Sequence, residues 1–483
     1  MLEATAQREQ LSSSSPVSHS QISFDRWARW VFALAFALRL ALALVNMDAF
    51  DPHMPVVRAI AYEHRFPGKD DMWEGFQPKL WHTTVAMILR IVPTHHIKDI
   101  THIAQGVNVI AGMATLWLLF LFLRRLEISD RAKLIAFSSI ALNPMLIGID
   151  GQATNDSFVI LFSTLALYFG VQYFEKPEWR NFSFMTLGAV LAVLSKGNAL
   201  VPIVAILCTF AASALMQSER RNLAWASRAV LFMALVVGAM ATLAPYGENW
   251  LRFGSPFVTN MPPDPVPAHF FVHVPTTEPR RYVEGVHTGF TWLFTFRLFE
   301  LLRLPHMHSA PIPLSTSMWS ILYGEWNFVH LDRWPYFWDD DRKGLMWLGR
   351  GLLLLALLPA GIFLVSLFRH SANAVRIFRD RSQWDAARIM LVLSVLGQFA
   401  FVAIYSYRGR LYEFAKAIFL FPSLLGIAWL FALGVQRFEQ RFQSSRIRFL
   451  LTAFTVLLLI GYVADITVVI VDQWMIDPRH YWG

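Results

Sequence analysis

The chain has 483 residues, 55% of them hydrophobic and only 16% charged, whereas soluble domains carry about a quarter charged residues. That balance excludes an ordinary water-soluble globule. The formal charge of +8 does not mark a nucleic-acid binder, because the excess cations sit in short segments between apolar runs. The single cysteine, Cys208, lies inside an apolar run and excludes both an intrachain disulfide and a cysteine-based metal site.

Residues 1–29 are polar and Ser-rich, with Ser12–Ser15 in a row, and are expected to form a disordered cytoplasmic tail. The run from Trp30 to Asn46 has no small-x-small cleavage pattern and reads as an uncleaved first span. Apolar runs predict spans near 30–47, 102–123, 132–149, 156–174, 182–195, 199–217, 229–246, 345–368, 389–405, 411–434 and 447–471, about eleven in all. Lys79–Val92 is apolar too, but it is only about 14 residues long and is bracketed by Pro78 and Pro93. A crossing helix takes about 20 residues, so this segment is expected to lie in the interface as an amphipathic helix.

Short basic loops set the orientation. Arg124, Arg125, Arg131 and Lys133 share one side with Lys176 and Arg180, and with Arg220, Arg221 and Arg228. Arg369, Arg376, Arg379, Arg381 and Arg388 join them, as do Arg437, Arg441, Arg446 and Arg448. With that side cytoplasmic, two large segments fall outside. The expected organisation is an N-terminal transmembrane module over 30–246, whose first external loop is 48–101. A large extracytoplasmic loop over 247–344, C-terminal helices over 345–471 and a short extracytoplasmic tail over 472–483 follow. The fold class is an all-α polytopic membrane protein.

The informative residues are the charges that violate this topology. The external stretch 405–416, YSYRGRLYEFAK, holds Arg408, Arg410 and Lys416, where the orientation rule expects few cations. Each costs about 2.5–3.5 kcal/mol on insertion scales if held near hydrocarbon. A lipid phosphate at the membrane surface would offset that, with snorkelling or pairing to Glu413 as the plainer reading. Lys196, in the tight outer turn LAVLSKGNALVP, repeats the pattern and is equally readable as a snorkelling helix-end lysine. Arg39 interrupts the first span; a structural ion pair with a later helix is the favoured reading over a site. Asp48 and Asp51 stand where the first span emerges, Asp70, Asp71 and Glu74 follow, and Asp156 opens the fourth span. A partly desolvated carboxylate at such a boundary can act as a base, although any one alone is more often a solvated loop residue. Asp339–Asp341 beside Arg342 and Lys343 reads as a hydrated helix-end cluster and only weakly as a metal site.

As an ordered set these residues resemble the GT-C superfamily of membrane glycosyltransferases, over Trp30 to about Leu433. The pattern is similar to bacterial families akin to protein O-mannosyltransferases and the lipid A aminoarabinose transferase. Asp51 in FDPHMP matches the family's acidic motif after the first span, reduced here to Asp51-Pro52. Gln77-Pro78-Lys79-Leu80-Trp81-His82, preceded by Glu74, matches its Gln-Pro-Pro-Leu-type motif, with Lys79 in place of the second proline. Asn155-Asp156, Ser195-Lys196-Gly197 and the segment from Asn249-Trp250 through Gly254-Ser255-Pro256 match later motifs, and Arg408, Arg410 and Lys416 with Pro422 loosely match an Arg-Tyr-x-x-Pro element.

The resemblance implies a GT-C-type bundle of about eleven transmembrane helices with interfacial helices and large extracytoplasmic loops. It implies transfer of a hexosyl or pentosyl unit, with inversion, from a polyprenyl-phosphate donor to an acceptor hydroxyl. Asp51 is the expected general base. Arg408, Arg410, Lys416 and Lys196 are expected to hold the donor phosphate, and Glu74, Gln77, Asp156 and Trp326 the acceptor or sugar. External aromatics such as Trp319, Tyr323, Trp326, Trp334, Tyr336 and Trp338 could stack on sugar or anchor the loop at the interface. No residues are assigned to a metal, and a divalent ion stays an open cofactor. The expected partners are the lipid donor, membrane lipids and an acceptor that is protein, lipid or polysaccharide; nucleic acid is not expected. The expected location is a bacterial inner membrane with the site facing outward. The competing readings are a transporter or flippase of a lipid-linked intermediate, which would place its polar residues near the bilayer midplane, and a non-catalytic assembly protein.

Overall fold

The computed structural model describes residues 23–46, 52–92, 94–216, 219–258, 289–305, 317–331, 342–379, 384–409 and 416–475, the side chains at 219–222, 289–291, 378–379 and 408–409 excepted. Among the described residues there are helices and no strands. Hydrocarbon offers the backbone no hydrogen-bond partners, so a spanning segment must satisfy its own amides as a helix.

The first span is α1 (Phe24–Val45). Two short helices follow, α2 (His53–Tyr62) and α3 (Leu80–Ile91), before the long span α4 (Ile97–Arg125). At 12 residues α3 is too short to cross. It buries Trp81, His82, Val85, Ala86 and Leu89 and packs on α2 and α4, leaving Met87, Ile91 and Val92 exposed.

The next span is broken. Its halves, α5 (Asp130–Ala141) and α6 (Pro144–Asp150), meet at a 50° bend. The sequence dictates the break: Pro144 cannot donate to the preceding turn, and the Asn143 side chain caps α6 by accepting from Leu146 N at 3.0 Å. The hairpin α7 (Asp156–Glu175) and α8 (Trp179–Val193) comes next. Gly188 lets the two helices approach closely, for a Cβ there would lie 2.7 Å from Ala166 N. A 3-10 turn, Gly197–Ala199, leads into α9 (Leu200–Met216) and α10 (Glu219–Leu243). The short α11 (Tyr246–Phe253) ends on Gly254, whose φ of +69° makes the left-handed cap.

Three short helices, α12 (Gly289–Phe294), α13 (Leu298–Arg303) and α14 (Met318–Asn327), precede the C-terminal spans. Those are the near-continuous α15 (Lys343–Leu355) and α16 (Leu357–Arg379), then α17 (Ala386–Gly409), a 3-10 stretch Ala417–Ser423 running into α18 (Leu424–Arg441), and α19 (Ser445–Met475). The 3-10 stretch and α18 form the axis: 83% of their most apolar window is buried, against 17% for the peripheral α10. Large apolar side chains left exposed, such as Trp30, Ile110 and Leu235, lie on spans and suit a lipid-facing surface.

Each of the eleven predicted spans has a helix, yet among the described residues nine helices are long and apolar enough to cross, or ten with the bent pair. The exception is α8, with 15 residues. At 1.5 Å per residue it is about 22 Å long, short of a ~30 Å hydrocarbon core. Its Trp179 end is exposed and flanked by Lys176, Glu178 and Arg180.

Arg39 is fully buried on α1, where its Nε donates to Asp150 Oδ2 at 2.8 Å. Nη1 donates to the carbonyls of Ala35 and Ala141, and Asp150 Oδ1 accepts from Ser157. This is the ion pair with a later helix that the sequence favours. Gly112 makes room for it, because a Cβ there would sit 2.2 Å from Asp150 Oδ2.

Candidate functional site

The loop between α2 and α3 is fixed by close backbone approach and by buried amides. A Cβ at Gly75 would fall 1.8 Å from Gly68 O, so only glycine fits there. Glu74 and Gln77 are buried. Gln77 Nε2 donates to Glu74 Oε2, and Asn155 Nδ2 donates to Gln77 Oε1. Asn155 Nδ2 also reaches Ser195 O at 3.0 Å, and Leu80 N donates to Leu194 O at 3.1 Å. The start of α3 is thus tied to the start of α7 and the end of α8. Lys79 Nζ donates to the carbonyls of Gly75 and Gln77 at 2.6 and 2.7 Å. Burial draws this ammonium down from 10.5 to about 8, against the opposing pull of Glu74 and Glu248.

The charged centre is Lys196 with Asp156. Lys196 Nζ, itself mostly buried, donates to both carboxylate oxygens at 2.7 and 2.9 Å. Thr154 Oγ1 donates to Asp156 Oδ2 at 2.8 Å. Behind it stand two buried histidines: His53 Nε2 lies 3.4 Å from Thr154 Oγ1, and His53 Nδ1 lies 3.1 Å from His82 Nε2. Trp81 Nε1 donates to Asn108 Oδ1, and Asn108 Nδ2 in turn holds the carbonyls of Gln152 and Thr154, fixing the turn before α7. On the other flank the Tyr246 hydroxyl reaches Val193 O at 3.4 Å, and burial pushes this phenol well above its usual range.

A second group adjoins this one. Glu325, buried on α14, accepts from Ala417 N at 2.6 Å, directly after Lys416. Trp326 packs its ring on Phe421 at 4.8 Å, and its carbonyl accepts from Asn143 Nδ2. The turn Gly197–Ala199 packs against the stretch Ala417–Ser423. Lys196 and Lys416, each the residue before one of these 3-10 segments, therefore enter neighbouring turns.

Of the residues the sequence singles out, Glu74, Gln77, Asp156 and Lys196 come together. Lys196 is engaged by Asp156 rather than standing as an open cation. Trp326 and Lys416 belong to the adjoining group. Asp51, Arg410 and the Arg408 side chain lie outside the described residues, as do Trp334, Tyr336, Trp338 and Asp339–Asp341. His53, Thr154 and Glu325 were not singled out, and His82 only as a departure from the motif. The sole sequence signal for the histidines is that each stands just after a proline-marked turn, Pro52 and Pro78. Among the described residues no three His, Cys, Asp or Glu side chains gather as a metal would require.

The chain is a polytopic all-helical bundle whose polar residues cluster around the turn that closes the α7–α8 hairpin. The family model described as dolichyl-phosphate-mannose-protein mannosyltransferase matches residues 102–242, a segment that contains both Asp156 and Lys196.

Among solved structures, the oligosaccharyltransferase of Archaeoglobus fulgidus tethered with an acceptor peptide aligns at 16% identity with a TM-score of 0.50, covering 93% of this chain and 55% of that one. The same enzyme in complex with Zn and sulfate aligns at 14% identity and 0.51, covering 90% and 53%. The chain therefore spans about half the length of these matches. ArnT from Cupriavidus metallidurans bound to undecaprenyl phosphate aligns more loosely, at 14% identity and 0.36, over 91% of this chain and 77% of that one. The two oligosaccharyltransferase likenesses, at TM-scores of 0.50 and 0.51, bear on the fold alone. No curated protein sequence matches the chain significantly.

Proposed function

We propose that the chain transfers a sugar from a polyprenyl-phosphate donor to an acceptor hydroxyl, with inversion, on the extracytoplasmic face of the membrane. The reading is carried by the mostly buried Lys196–Asp156 pair just beyond the end of α8, inside the segment that matches a family named for a dolichyl-phosphate-mannose donor. The basic loops supply the orientation, because the positive-inside rule leaves the Lys196 turn on the outer side. A bacterial inner membrane is the proposed location.

In this reading Asp51 takes the proton of the acceptor hydroxyl. Lys416, Arg408 and Arg410, joined by Lys196, neutralise the departing lipid phosphate; Arg offers it a bidentate fork. Lys196 shares its ammonium between Asp156 and the phosphate, so Asp156 aims the cation as well as facing the acceptor. Glu74 and Gln77, held by Asn155, line the acceptor side, and Trp326 offers a ring face toward the sugar. Fixing both substrates against this frame contributes the entropic part of the rate. The sugar is a hexose or pentose, and the acceptor a protein, lipid or polysaccharide hydroxyl.

The test is transfer by the purified, lipid-reconstituted chain with a panel of polyprenyl-phosphate sugars. Asp51→Asn is expected to abolish turnover, and Lys416→Ala to lower kcat by about 10²–10³, the cost of removing one charge-stabilising donor. Equal transfer by wild type and Asp51→Asn removes Asp51 as base. Passage of the lipid across the bilayer without sugar transfer would favour a transporter instead.

A further inference from the structure

The hydrogen bonds behind Asp156 can be assigned a direction from its carboxylate outward. Lys196 donates both of its short bonds to the Asp156 carboxylate, and Thr154 Oγ1 gives its single proton to Oδ2 of the same group. The Thr154 oxygen can then only accept from His53 Nε2, so that nitrogen carries a proton. At the other end, His82 Nδ1 is buried without a well-formed hydrogen bond, and the backbone group on its side is the Pro78 carbonyl. A carbonyl only accepts, so the His82 proton belongs on Nδ1 and its Nε2 is the acceptor. His53 Nδ1, 3.1 Å away, must then donate as well. In this assignment both nitrogens of His53 carry protons while His82 is neutral. His82 is the right partner to stay neutral: burial first, then the neighbouring His53, Lys79 and Lys196, hold its ring well below the usual histidine range.

We propose that His53 is a positioning residue held as an imidazolium, and that its charge, passed through Thr154 to Asp156, loosens the Lys196–Asp156 pair enough for Lys196 to take the donor phosphate. This deepens the transferase reading above and rests on it. The charge balance is simple. With His53 protonated, one carboxylate faces two cations, and the trio carries a net positive charge. With His53 neutral, Asp156 and Lys196 cancel, and the ammonium has no surplus to offer an anion. Among the described residues, the other titratable groups near His53 are His82 and Lys79 on the α3 side, Asp156 at the start of α7 and Lys196 at the end of α8; Asp51 lies just before it in the chain.

The probe is undecaprenyl methyl phosphate, a phosphodiester whose single charge is constant over the pH range used. Its binding to the reconstituted full chain is measured from pH 5.5 to 9, beside donor KM and kcat. Wild-type affinity is expected to fall as pH rises through the His53 titration. His53→Gln is expected to bind roughly tenfold more weakly at pH 6.5, the scale of a unit charge several Å away at a protein's effective dielectric, and to lose that pH step. Lys79, which titrates near 8, contributes to both proteins and cancels in their ratio.

Thr154→Val removes the hydrogen-bonded link while leaving the His53 charge in place, and is expected to raise donor KM by less than His53→Gln does, with kcat within about twofold. His82→Gln, which keeps an acceptor opposite His53 Nδ1, is expected to retain the wild-type profile. A ratio of wild type to His53→Gln that is flat with pH, or Thr154→Val with unchanged donor KM, overturns this inference while leaving the transferase reading intact. Absence of binding and transfer by the wild type at every pH overturns both.

Discussion

The buried Arg39–Asp150 pair gives the sharpest stability prediction. Both side chains are essentially inaccessible, and the pair joins α1 to α6. Arg39→Leu leaves the Asp150 carboxylate buried with only the Ser157 hydroxyl at 2.8 Å, which costs about 3–5 kcal/mol. Asp150→Leu leaves the guanidinium with the Ala35 and Ala141 carbonyls and no counter-charge, at a similar cost. The double variant buries no charge. What remains is the Ala141 carbonyl that loses its 2.9 Å donor and the Ser157 hydroxyl that loses its acceptor, together worth about 1–3 kcal/mol. The two single effects are therefore expected to be far from additive, with a coupling of at least about 3 kcal/mol. The assay is reversible unfolding in mixed micelles followed by tryptophan fluorescence. A double variant as unstable as the two singles summed would refute the reasoning, as would Arg39→Leu costing less than about 1 kcal/mol.

Gly188→Ala is expected to destabilise by about 1–3 kcal/mol in the same assay, because the added methyl meets the Ala166 backbone at 2.7 Å and the α7–α8 hairpin must open. Lys79 makes stability rise with pH. Its folded-state pKa, about 8, lies below its unfolded value of 10.5, so between the two the unfolded chain binds more protons. Relative to Lys79→Met, the wild type should gain up to about 3 kcal/mol from pH 8 to 10.5, less what solvent screens; parallel profiles would count against the burial. Lys196→Arg should retain measurable transfer and Lys196→Ala should lose about 10²-fold or more, read as initial rates.

The spans were legible because apolar length alone specifies them, and so was the failure of the segment at Lys79–Val92 to cross. The brevity of α8 was legible too: the sequence places it at 182–195, closed by the Ser195-Lys196-Gly197 turn, and the helix runs over Trp179–Val193. Asp156 and Lys196 each drew notice as charges at a boundary, but nothing in a linear chain says that residues 40 apart form one bidentate pair. Arg39 signalled a partner on a later helix without naming Asp150. Glu325 lay among aromatics that read as surface anchors, and His53 and His82 acquire meaning only when α2 and α3 pack side by side. Pairings across helices depend on packing angles and on where a turn closes, and those are set by many small contacts rather than by a motif.

The distance in sequence between Arg39 and its carboxylate has a consequence for how the chain is made. The partner is 111 residues downstream, and at ribosomal rates of about 5–20 residues per second it emerges roughly ten seconds later. Until then the first helix must enter lipid with a bare guanidinium, at about 2.5–3.5 kcal/mol. Burial of Arg39 is therefore expected to wait for the broken third span, so that the first three spans settle in the bilayer together.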